Sequence, residues 1–67
     1  MRDPKINPVN GDVLRLGAQE RHVDTGKNQQ HVRFHVEVGN RWVSSTVQIE
    51  AWRAWAKKAR VIRKSGT

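Results

Sequence analysis

From His31 to Val38 the chain reads HVRFHVEV. Val32, Phe34, Val36 and Val38 alternate with His31, Arg33, His35 and Glu37. Side chains alternate across a strand, so one face is wholly apolar and the other wholly polar. This pattern predicts a strand of an antiparallel sheet covered on one side. Shorter candidates flank it. DVLRL, Asp12 to Leu16, predicts a strand, and Gly17-Ala18 turns the chain after it. ERHVDT, Glu20 to Thr25, is a weaker strand with Arg21, Val23 and Thr25 on one face. GKNQQ, Gly26 to Gln30, reads as a polar hairpin loop. Gly39-Asn40 is a further turn, and RWVSS opens a fourth strand.

The period then changes. Ser45 or Thr46 is a candidate cap, and Ser45 with Gln48 fits a capping box. The helix is placed at about residues 47–59. At about 100° per residue, Ile49, Trp52, Trp55, Ala56 and Ala59 fall within an arc of about 120°, the width of a face packed on a sheet. Beyond Arg60, VIR is a candidate last short strand.

At the other end, Pro4 and Pro8 favour an extended arm over residues 1–11, and Asn10-Gly11 signals a turn. A single β-rich domain is expected over 12–63, with 64–67 as a frayed basic tail. The order predicts an α+β fold with about four to five short strands. It is a small antiparallel sheet or a partly open SH3-like barrel, with one C-terminal amphipathic helix.

A chain of 67 residues sits near the lower size limit for folding alone, and without cysteine it has no disulfide or thiolate metal site to staple it. Its core must draw on three Trp, one Phe and the alternating Val and Ile, and an open apolar edge is a route to a homodimer. The N-terminal MRDPKINPVN is polar and shows no signal-peptide h-region. No apolar run approaches the roughly 20 residues that span a bilayer. A soluble, cytoplasmic protein with no membrane partner is therefore expected.

The formal net charge is +7. Before residue 53, seven Lys and Arg face six Asp and Glu; from residue 53 onward there are six basic residues and no acid. Such a block suits an anionic partner, or is simply a solvated tail. On the wheel, Arg53, Lys57 and Arg60 line a stripe beside the apolar arc, with Arg63 and Lys64 beyond it. A stripe of cations can follow a DNA or RNA phosphate backbone and gain from counterion release. Cations late in a helix also complement its dipole, which needs no ligand. Trp52 and Trp55 lie on the apolar arc and are expected in the core.

Trp42 alternates with Val43, so only one of them faces the helix. If Trp42 does, it is a core anchor; if Val43 does, Trp42 is exposed and offers a stacking surface to a base or a partner side chain. With Arg33 and His35 on the polar face of the third strand, it forms a second candidate surface. His31 and His35 stand about 13 Å apart on a strand, too far for one metal ion, so no metal site is expected. The carboxylates show no acid–base pairing and the serines no nucleophile-elbow setting. Gly11, Gly17, Gly26 and Gly39 are dispersed turn positions, not a phosphate loop. No catalytic residue and no cofactor is expected.

The succession NPVNGDVLRL, ERHVD and EAWRAWAKKARVI, over roughly residues 7–62, resembles short uncharacterised proteins of phages and proteobacterial genomes. In those, a Gly-Asp-Val strand opens the domain and a Trp-rich helix closes it. The resemblance implies a small β-rich domain and a role in binding host machinery. Two functions are thus in view. One is a non-enzymatic nucleic-acid-binding module. The other is a protein-interaction or inhibitor module directed at an acidic host protein.

Overall fold

Strand alternation and hairpin turns produce most of the structure. The computed structural model describes residues 3–24 and 30–65. Its elements are β1 (Val13–Leu16), β2 (Gln19–Val23), β3 (His31–Val38), β4 (Arg41–Gln48), α1 (Ile49–Ala56) and β5 (Arg60–Arg63). They form one open five-stranded antiparallel sheet in the order β4-β3-β2-β1-β5, with the helix packed over β3 and β4. Two-residue turns join β1 to β2 and β3 to β4. Gly17 opens the first with φ of +62°, a conformation open to glycine and costly for a residue with a Cβ. The expected loop at 26–30 lies outside the described residues except for Gln30.

Alternation sorts the two faces. Leu14, Val23, Val32 and Phe34 face the helix and close on Trp52, Ala56 and Ala59, with Leu16, Val36, Val47, Ile49, Trp55 and Val61 around them. Trp52 is 0% exposed, with its ring 5.7 Å from Phe34 and 5.3 Å from Trp55. Its indole Nε1 donates to the Pro4 carbonyl at 3.2 Å, so the largest core residue is satisfied at its polar end as well. No helix among the described residues is long and apolar enough to cross a membrane.

The helix is shorter than its periodicity predicts, and it is not the last element. Val47 and Gln48 remain in β4, paired with Val32 and His31, so Ser45 and Thr46 are strand residues and cap nothing. The actual N-cap is Gln48, with no side-chain cap bond; the Ile49 N–H donates to the Gln30 carbonyl instead. At the other end, Lys58 and Ala59 make tight bonds to Trp55 and Ala56 three residues back. The chain then enters β5, where Val61 pairs with Leu14. A register shift leaves Ile62 as the extra residue of a bulge before Arg63 meets Val13.

The first and last described segments are both held in place. The first segment is not a simple extended arm: the Asp3 carbonyl accepts from Ile6 and Asn7, and its Oδ1 accepts from Lys5. Pro4 starts this turn where its missing N–H costs nothing. Asp12 is 0% exposed, and its carboxylate accepts from Val9 N–H at 2.9 Å and Ser65 N–H at 2.7 Å. The tail therefore stays anchored as far as Ser65, past the Lys64 where fraying is expected to begin.

Candidate nucleic-acid interface

The outward face of the sheet carries the exposed chemistry, and β1 supplies its pivot. Arg15 alternates with the core residues Leu14 and Leu16 and so points outward. The pairing of β1 with β5 sets it directly opposite Arg60. Like charges opposite each other weaken a strand pair. The Arg15 Nε–H donates to the Gly17 carbonyl at 2.9 Å, which holds its guanidinium near the first hairpin turn. A shallow pocket of about 310 Å³ opens there, lined by Arg15, Leu16, Gly17, Lys58, Ala59 and Arg60. Among the described residues this lining brings three cations together and contributes no carboxylate.

The expected helical stripe does not form as one line. Arg53 is on α1, Lys57 caps its C-terminus, and Arg60 and Arg63 belong to β5, because the helix ends at Ala56. Arg53 also has a structural role, since its Nε–H donates to the Ile6 carbonyl at 3.0 Å and braces the N-terminal turn against the helix. Lys57, Arg60, Arg63 and Lys64 are all exposed. Arg15 and Lys58 join Arg60 in their place. The outward alternation of Arg15 is visible in DVLRL, but its partner is not.

Trp42 lies on the outward face, opposite to Val43 and Val47, and is 55% exposed. Its ring makes a T-shaped contact with His22, with centroids 4.9 Å apart and planes at 84°. His22 Nε2 lies 2.8 Å from Glu20 Oε1. Arg15, Ala18, Glu20, His22, Glu37 and Trp42 line a second pocket of about 240 Å³. Arg33 and His35, expected to share a surface with Trp42, both turn to Asp24: Arg33 Nη2 and His35 Nε2 each lie 3.1 Å from its Oδ2. Ser44 Oγ is 3.4 Å from the same His35 nitrogen. This cluster ties β3 and β4 to Asp24, the residue that follows β2, on the outside of the sheet.

Arg21 is the cation that no sequence pattern singles out. It faces inward, in a cross-strand row with Leu14, Val36 and Val43. Its guanidinium carbon sits 4.3 Å from the Phe34 ring centroid and 4.0 Å from that of Trp55. Burial lowers its pKa from the ordinary arginine value, yet the group stays cationic. A flat, weakly hydrated guanidinium suits this aromatic setting better than an ammonium. Arg21 therefore completes the core margin and leaves the outward face to other cations.

No group of three or more His, Asp or Glu side chains is arranged to hold a metal ion among the described residues. No family model, curated protein or solved structure matches the chain.

Proposed function

We propose that this is a small non-enzymatic cytoplasmic module that binds nucleic acid by its phosphate backbone. The carrying observation is the opposition of Arg15 to Arg60 across β1 and β5, with Lys58 in the same pocket. Three clustered cations repel one another; an anion among them reverses that cost and releases counterions. Lys57, Arg63 and Lys64 extend the basic surface along the chain. The strand order, with the helix between β4 and β5 and β5 returning to β1, supports a partly open SH3-like barrel.

The test is a salt titration of binding to short labelled DNA and RNA, read by fluorescence anisotropy. The expected result is affinity that falls steeply with salt, and a log–log slope that shrinks by about one for each phosphate contact removed at Arg15, Lys58 or Arg60. Absence of binding at low salt overturns the reading.

A second reading, a protein-interaction or inhibitor module of the phage type, is favoured by a different observation. Val38 and Val43 lie on the helix-facing side of the sheet yet are 57% and 41% exposed, leaving apolar surface beyond the reach of α1. Substituting Asp at both positions abolishes a protein contact made there and leaves the salt-dependent binding intact.

A further inference from the structure

We infer that the nucleic acid is single-stranded, and that one unpaired base is held against Trp42 in the outward pocket that Glu37 also lines. This rests on the phosphate reading above and specifies its substrate. The decisive relationship is that Arg15 lines both pockets: the basic one, with Lys58 and Arg60, and the outward one, with Glu20, His22, Glu37 and Trp42. A single strand whose backbone is held at Arg15 therefore borders both pockets.

The second pocket has the features of a base site and not of a phosphate site. Trp42 offers an exposed aromatic surface. Its T-shaped contact with His22 covers at most one face of the indole, and the residue remains 55% exposed. Stacking on such a ring is available to every base once it is unpaired. Glu37 is the direct cross-strand partner of Trp42, and Glu20 stands across β1–β2 from Arg15. Two carboxylates repel a phosphate. They accept hydrogen bonds from exocyclic amino groups, as on cytosine N4 or adenine N6. In a duplex the stacking faces are closed and the Watson–Crick donors are already used, so the pocket's chemistry is realised on an unpaired strand. Glu20 is already engaged with His22 at 2.8 Å, which makes Glu37 the principal acceptor. Bases carrying an amino group are favoured over thymine and uracil.

The experiment measures anisotropy of the full chain with labelled oligo-dC, oligo-dA, oligo-dT and a duplex of matched length, at one fixed salt concentration. Tighter binding of single strands than of the duplex is expected, with oligo-dC and oligo-dA above oligo-dT. Trp42→Ala lowers single-strand affinity by roughly tenfold or more and erases the preference over duplex. Glu37→Gln, a shape-conserving change, narrows the gap between oligo-dC and oligo-dT. Equal affinity for single strands and duplex, insensitive to Trp42→Ala but lost in the Arg15→Ala/Arg60→Ala variant, overturns this inference and leaves the phosphate reading standing. Failure to bind any of the four probes overturns both.

Discussion

Arg15 on β1 stands directly opposite Arg60 on β5, so the strand that closes the sheet is held beside a like charge. Stability and binding should therefore respond in opposite directions. Arg60→Thr removes the repulsion and supplies a better strand former, raising stability by about 0.2–1 kcal/mol. The same change weakens nucleic-acid binding and lowers the salt slope by about one. Urea denaturation and anisotropy on the same preparation check the pair of signs; loss on both axes means that Arg60 is a structural residue.

Asp12 joins the segment before β1 to the segment after β5 through its carboxylate, which accepts from Val9 and Ser65. Bonds to a charged acceptor contribute about 1.5–3 kcal/mol each, and the two here share one side chain. Asp12→Ala should cost about 3 kcal/mol or more and leave two amide donors without this acceptor. Asp12→Asn retains an acceptor oxygen and should cost less. Chemical denaturation of the two variants orders them.

Gly11 and Gly17 both have positive φ, at +99° and +62°, but their surroundings differ. A Cβ on Gly11 would lie 2.5 Å from Ser65 Oγ, whereas one on Gly17 meets nothing within 4 Å. Gly17→Ala should cost only the backbone strain of about 1 kcal/mol. Gly11→Ala should cost more, because it also displaces Ser65 from its bond to Asp12. Thermal unfolding midpoints give the comparison, and equal losses would show that the crowding at Ser65 is absorbed without penalty.

Arg21 sits between Phe34 and Trp55 on the inward side of the sheet. Arg21→Ala should destabilise by about 1–2 kcal/mol through lost cation–π contact and lost packing of its stem. Arg21→Lys keeps the charge but loses the flat stacking surface and should recover only part of that. Neither variant should change the salt slope of nucleic-acid binding. A reduced slope would place Arg21 among the phosphate contacts.

Trp52 and Trp42 should separate cleanly. Trp52→Ala removes a wholly buried ring, a loss of about 3–5 kcal/mol that is comparable to the entire stability of a small domain. Trp42→Ala changes an exposed ring and should leave the far-ultraviolet circular dichroism of the fold intact. An unfolded Trp42→Ala protein would make its contact with His22 a structural necessity.

Much of the fold is legible in the sequence because its strongest signals are local. The alternation at 31–38 becomes β3 with the expected faces, and the Gly17 and Gly39 turns fall between paired strands. The spacing of Ile49, Trp52 and Ala56 puts Trp52 in the core. The helix ends differ from expectation because apolar spacing continues through Val47 and Ala59, while backbone pairing with β3 and the onset of β5 cut the helix short. The candidate site differs for the same reason. A stripe of Arg53, Lys57 and Arg60 requires one continuous helix, and its last member belongs to a strand.

Local sequence thus dictates the set of elements, the two faces of each strand and the concentration of cations after Trp52. Those follow from side-chain geometry within a few residues. Long-range pairing settles which face meets the helix, and hence that Trp42 points outward and Arg21 inward. It also returns β5 to β1, bringing Arg60 and Lys58 to Arg15. Each of these depends on hydrogen-bonded register between segments far apart in the chain, and alternation within one segment carries no information about its partner.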